Sequence, residues 1–257
     1  MSIPDEIKTI VDESGNSFHC RVTNYLKEKG WHTLVSPYYM DGSTNKPREI
    51  DLIAERHWIY NARPNQQPRA VIIKLFIECK YISQPNVFWF SDKDIAAATD
   101  WVVSNTPLSK DNTFTKMHHY LSSEPKVAKL FASKNKPGPE NEVIYRALNQ
   151  SLNAMVYLRR RESIIPEIRA GEFKRISIEM PVVLCNSFDN FYRVEMDNSD
   201  AQQKLVENFQ LEINYAYLEL DGKRRNDYFL LDIVNFGMID SYLNVLEADK
   251  EAIFKIF

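Results

Sequence analysis

Apolar and polar positions alternate most sharply between Arg48 and Tyr81, in two stretches, REIDLIAE and VIIKLFIECKY. Both carry charge where a buried strand normally has none. Period-two alternation places Ile73, Leu75, Ile77 and Cys79 on one face of the second stretch and Lys74, Phe76, Glu78 and Lys80 on the other. In the first, Glu49, Asp51, Ile53 and Glu55 share a face opposite Ile50, Leu52 and Ala54. If the two strands pair, Asp51, Glu78 and Lys80 converge. Isolated charges in apolar strands are costly unless paired or bound to a cation. Two carboxylates and an ammonium at one place therefore point to a site for a hard divalent metal.

The rest of the chain divides by period. Residues 3–29 read as helix, interrupted around 14–17, with Phe18, Val22, Tyr25 and Leu26 at helical spacing. Residues 31–39 read as a strand, 41–47 as a polar turn and 57–69 as a long hairpin loop. Residues 91–105 read as a helix capped by Ser91 or Asp92, with Ile95, Ala98, Trp101 and Val102 on one face. A second helix is expected over 114–131, followed by the linker SKNKPGPE. Residues 142–161 form the strongest helix, with Val143, Ala147, Leu148, Leu152, Met155, Val156 and Leu158 as its buried stripe. Residues 173–185 read as a buried strand in which Pro181 argues for an edge or a bulge. Residues 191–196 are its expected partner and 201–209 a short helix. Residues 211–220 and 228–234 form a hairpin, and 238–257 an amphipathic helix. No repeat interrupts this order, so residues 1–257 read as one domain whose C-terminal third extends a single sheet.

Composition narrows the class. With 257 residues, 44% hydrophobic and 26% charged, the chain can bury a real core. A net charge of −3 argues mildly against a sequence-independent nucleic-acid coat but leaves room for a local basic patch. Cys20, Cys79 and Cys185 are widely spaced and odd in number, which fits a reducing cytoplasm. No signal peptide or membrane span is evident, so a soluble intracellular protein is expected.

The pattern of Asp51 followed by Glu78-Cys79-Lys80 resembles the PD-(D/E)XK nuclease superfamily. Gly15, Phe18, Val22, Leu26 and Gly30-Trp31 look like its opening helix and the approach to its first strand. EIDLIA looks like its acidic strand and FIECKY like its E-x-K strand. The likeness covers residues 10–82 well and 140–195 more loosely. It implies a restriction-endonuclease-like core, a mixed central sheet flanked by helices. Residues 82–139 would then be a helical insertion after the E-x-K strand, with extra strands and a helix at the C-terminus. Lys110, Lys116, His118, His119, Lys126 and Lys129 make that insertion locally basic, as a lid or nucleic-acid clamp or as an ordinary solvated face.

The resemblance implies a metal-dependent endonuclease that hydrolyses DNA phosphodiester bonds, in prokaryotic restriction, antiviral defence or repair. Asp51, Glu78 and Lys80 would be catalytic. Mg2+, with Mn2+ as a substitute, would be held by Asp51, Glu78 and the backbone carbonyl of Cys79. Many relatives carry a metal-binding Glu where this chain has His19. Imidazole is a poorer magnesium ligand, so either two carboxylates suffice or His19 contacts substrate. Glu13 is a candidate replacement, Glu49 a second-choice ligand or supporting residue, and Gln150 a candidate to orient phosphate or water. Arg56, Arg63 and Arg69 flank the hairpin loop within reach of a phosphate or simply of solvent.

The competing readings are a catalytically silent nuclease-like module binding nucleic acid or a partner protein, and an RNA-directed nuclease. Residues 87–90 and 253–257 are candidate interfaces for a homodimer or partner subunit, or simply core. A zinc site from His57, His118, His119 and a cysteine is disfavoured because no close ligand spacing supports it. No G-x-S-x-G elbow or Walker loop is present.

Overall fold

The computed structural model describes residues 6, 7, 9, 11, 15–42, 44–60, 67–133, 143–159, 161–219 and 222–256. Glu13, Arg63 and the linker after Ser133 lie outside them. The chain is mixed α/β. Its first helix, α1 (Asn16–Glu28), buries Phe18, Val22 and Leu26 and leads into β1 (His32–Val35). The single strand expected over 31–39 is split. Ser36 adopts a left-handed φ of 50°, donates its N–H to the Asp51 carbonyl at 2.9 Å, and with Pro37 turns the chain into β2 (Tyr38–Asp41). That strand pairs with β3 (Lys46–Glu49) in a separate two-stranded ribbon.

The acidic stretch is likewise broken at Ile50-Asp51, and β4 (Leu52–Tyr60) begins after it. Strand β4 runs four residues into the segment expected as loop and pairs antiparallel with β5 (Arg69–Lys80), which is buried along most of its length. After β5 come β6 (Asn86–Asp92), α2 (Ile95–Asn105), a 3-10 turn (Thr113–Met117), the single turn α3 (His119–Ser122) and β7 (Lys126–Ser133). The insertion is therefore mixed rather than helical. Pro125 lacks the N–H a continuing helix needs, and the residues beyond it pair with β6 instead. The cap of α2 is Asp94, which accepts from Ala97 N–H at 2.9 Å, and not Ser91 or Asp92, which lie within β6.

Helix α4 (Val143–Leu158) matches its expected stripe closely, and the short α5 (Pro166–Ala170) precedes β8 (Lys174–Cys185). Next come β9 (Phe191–Glu195), β10 (Asn198–Lys204), β11 (Phe209–Leu218), β12 (Arg224–Asn235) and α6 (Ile239–Phe254). Strand β10 stands where a helix was expected. Its sequence suits a helix, but pairing with β9 overrides that weak local preference. All strands but β2 and β3 join one ten-stranded sheet in the order β1-β4-β5-β8-β12-β11-β7-β6-β9-β10. Strands β5, β8 and β12 run parallel. Helices cover both faces, because Arg56 of β4 pairs with Glu247 of α6 while neighbouring Glu55 faces Lys74 and Ser163 beyond the end of α4.

Two features hold the centre. Glu55, Lys74 and Glu179 lie in register across β4, β5 and β8. Lys74 Nζ sits 3.1 Å from Glu55 Oε1 and donates to the Arg161 carbonyl, so the buried ammonium joins three elements. Burial pushes the Glu179 carboxyl up to about 7, against the attraction of Lys74. The second feature is Pro181, which occupies a central strand and not an edge. The ladder from β8 to β12 covers only Val182 to Cys185, so Pro181 falls one residue outside it. On the other side the Ser151 hydroxyl of α4 donates to the Phe76 carbonyl at 2.8 Å and accepts from Val182 N–H at 3.1 Å. One buried hydroxyl thus satisfies two backbone groups beside the proline.

Ser151→Ala should therefore destabilise the fold by about 1–3 kcal/mol, the cost of two buried backbone groups losing their partner. Urea unfolding with an unchanged slope measures it. A change within a few tenths of a kcal/mol would mean the strands close directly on each other.

Candidate functional site

Strands β4 and β5 pair from Tyr60–Arg69 to Leu52–Ile77. One register step further, Asp51 faces Glu78, and their side chains take over from the ladder. Asp51 N–H donates to Glu78 Oε1 at 3.3 Å, and Cys79 N–H donates to Asp51 Oδ2 at 2.8 Å. Lys80 completes the group. Its Nζ lies 2.6 Å from Glu78 Oε2 and 3.7 Å from Asp51 Oδ2. The three residues picked out by alternation thus meet at one place. The Glu78 side chain is fully buried, while those of Lys80 and Asp51 keep 19% and 28% of their surface. The cluster is consequently open on the Asp51–Lys80 side and closed behind Glu78.

Burial dominates the electrostatics of Glu78 and pushes its carboxyl up to about 8; Asp51 adds to the rise and Lys80 opposes it. Lys80 moves the other way relative to burial. Desolvation alone would lower it, but Glu78 and Asp51 override that and hold the ammonium above its ordinary range. Lys80 is thereby a fixed positive charge rather than a proton acceptor. The Cys79 thiol packs against the core and burial drives it well up, so it stays a thiol.

The supporting residues fall at varying distance from this centre. Glu49 is occupied by hydrogen bonds from Ser36 and Tyr38, which with the nearby His19 hold its carboxyl below the usual range. His19 lies beside Glu49, half-buried on α1, with Nε2 enclosed and without a hydrogen bond. Gln150 Nε2 donates to the Glu49 backbone carbonyl at 3.4 Å, tying α4 to β3. Of the loop arginines, Arg56 is engaged with Glu247. In the insertion, Lys110 pairs with Asp100, Lys126 with Glu195 and Lys129 with Glu212. These pairs favour the solvated-face reading over a clamp. Moreover, β7 lies four strand spacings from β5, roughly 19 Å across the sheet. Of the candidate interfaces, Phe88 and Phe90 are buried in the core.

A second polar group escaped sequence reasoning. His118 and His119 meet Asp249 of α6 and Asp232 of β12 inside the protein. Burial favours a neutral His119, yet Asp249 and Asp232 outweigh it and push the imidazole up to about 10. The adjacent histidines were visible in the chain, but their partners lie more than 100 residues away.

No family model, curated protein or solved structure matches the chain. Among the described residues, no helix is long and apolar enough to cross a membrane.

The raised Glu78 carboxyl has a testable signature. Its folded pKa of about 8 exceeds the ordinary 4.5, so the folded state holds this proton more tightly than the unfolded chain. Its contribution to stability is full below pH 4.5 and is lost as pH rises through 8. Glu78→Gln removes that slope. In urea unfolding across this range, the variant's stability should gain on wild type up to about pH 8 and then level off. A difference independent of pH would mean that Glu78 ionises normally.

Proposed function

We propose that the chain is a metal-dependent nuclease of the PD-(D/E)XK kind, acting on DNA through Asp51, Glu78 and Lys80. The observation that carries this reading is the meeting of those three side chains at the splayed end of β4 and β5. The succession of α1, the antiparallel β1, β4 and β5, then α4, then β8 parallel to β5 supports the restriction-endonuclease-like arrangement that the sequence pattern implies.

The donor set fits a hard cation. A wholly buried carboxylate with raised proton affinity lacks enough positive charge around it, and its neighbour Asp51 remains accessible. Asp51 and Glu78 would hold Mg2+ or Mn2+, with the Cys79 carbonyl as the third donor implied by the resemblance. Such an ion, when bound, activates water and neutralises phosphate charge. Lys80, kept protonated by both carboxylates, would orient the water and stabilise the negative charge growing on the phosphate oxygens. Gln150 and Glu49 would act at one remove, by positioning the segment that carries Asp51.

Cleavage assays on duplex, single-stranded and branched DNA and on RNA test this reading. Magnesium-dependent cleavage is expected, abolished by EDTA and lowered at least about 10²–10³-fold by Asp51→Ala or Lys80→Ala. Cleavage confined to RNA would move the substrate class. Equal behaviour of folded wild type and Asp51→Ala on every substrate would end the nuclease reading.

Two observations favour a second reading, a silent nuclease-like module that binds nucleic acid or a partner. Lys80 already holds Glu78 at 2.6 Å, and His19 stands where the resemblance implies a carboxylate. Thermal or urea unfolding with magnesium separates the two. A metal-using site gains about 2.7 kcal/mol when magnesium reaches 100 times its Kd, whereas a silent one gains nothing.

A further inference from the structure

The buried group around His119 is assembled differently from the carboxylate site. His118 and His119 sit at the start of α3, and Asp249 reaches them from α6. One atom from each of these three residues can be chosen so that all lie within 4.8 Å of one another, and all three residues are buried. Each is already aimed. Asp249 Oδ1 accepts the His119 backbone N–H at 2.8 Å, which leaves Oδ2 toward the two rings. His119 Nδ1 contacts that Oδ2, while His119 Nε2 faces Asp232 Oδ2 at 3.2 Å. Asp232 Oδ2 is itself fixed by the hydroxyls of Tyr120 and Tyr242, each at 3.0 Å. Asp232 behind Nε2 holds a hydrogen there, which leaves Nδ1, facing Asp249, as the nitrogen that would give up its proton to a metal. His118 supplies the independent sign. Its Nε2 is fully enclosed, makes no hydrogen bond, and lies 3.7 Å from Asp249 Oδ2.

We propose that His118 Nε2, His119 Nδ1 and Asp249 Oδ2 form a binding site for one divalent transition metal of the zinc class, with Asp232 orienting His119 from behind. Two imidazoles and one carboxylate suit zinc rather than magnesium, which takes oxygen donors. Without the ion, a proton between His119 and Asp249 holds the pair together; the ion takes its place and draws in the unused nitrogen of His118. The cost is one long contact, since His118 Nδ1 accepts Tyr120 N–H at 3.3 Å and would carry the hydrogen once Nε2 binds metal. Three protein ligands leave a fourth position for water or a small ligand; the nearby cavity of about 340 Å³ is lined by His119, Asp232 and Tyr242 and not by His118 or Asp249. The site is independent of the nuclease reading, because none of its residues contacts Asp51, Glu78 or Lys80.

The test is a zinc titration of the full chain, stripped with EDTA and freed of chelator, in excess magnesium and followed by a competing chromophoric chelator. Cobalt substitution reads the coordination by visible absorption. Wild type and Asp51→Ala should each take one zinc per chain with equal affinity. His118→Gln should weaken binding at least about 100-fold, and Asp232→Asn about 10–100-fold. Circular dichroism confirms that each variant is folded. Absence of micromolar zinc binding by wild type would overturn the site, as would undiminished binding by folded His118→Gln. Loss of zinc in Asp51→Ala alone would place the metal at the carboxylate cluster instead.

Discussion

A carboxylate buried in a sheet must find positive charge or give up its own, and Glu78 does each in part: a lysine two residues along the same strand opposes the rise, yet burial still lifts its carboxyl to about 8. The Lys80 ammonium reaches back to Glu78 at 2.6 Å while Asp51 closes over from the next strand. Buried alone, an ionised carboxylate costs several kcal/mol or takes up a proton instead, so Glu78 and Lys80 are coupled. The arrangement also fixes the backbone. The antiparallel ladder stops at Leu52–Ile77, and the freed N–H groups of Asp51 and Cys79 are taken by the carboxylates themselves. Charge pairing and strand splay are thus one feature. The opening it leaves is bounded by the two side chains that keep some solvent.

The rest of the sheet keeps this end rigid. Helix α4 lies against β5 and β8, and the Ser151 hydroxyl is inserted where Pro181 interrupts the usual pairing. The Glu55–Lys74–Glu179 row does the same further along the same three strands. Both devices use a single polar group to join elements distant in sequence. Each is buried, so each would be expensive if half-made.

Local periodicity carried as much of the fold as local pairing does. Strand β5, helix α4 and the β11–β12 hairpin were legible because each buries one face with a regular period. Asp51 with Glu78 was legible for the same reason, since alternation on adjacent strands brings like faces together. The failures share a cause too. Strand β10 has helical residues but a strand for a neighbour, and β7 follows a proline in a segment otherwise fit for a helix. The break at Ser36-Pro37 depends on the Asp51 carbonyl, fifteen residues on. In each case pairing with another segment, near or distant in sequence, outweighs a propensity worth less than a kcal/mol per residue. The histidine cluster was hidden more deeply, because a ligand spacing read along the chain has no access to Asp249 or Asp232.

The two polar groups differ in a way that constrains what each can do. Around Glu78 the donors are carboxylate oxygens with a fixed ammonium beside them, an arrangement that tolerates a hard cation only if it outcompetes Lys80. Around His119 the donors are mostly nitrogen, enclosed on nearly every side, with their orientation set by Asp232 and two tyrosines. An exposed edge suits exchange with a large substrate; enclosure suits a resident ion or a permanent internal ion pair. The α6 helix reaches both the Asp249 cluster and, through Glu247, the Arg56 side chain of β4. That one helix ties the far half of the sheet to the strand that follows Asp51.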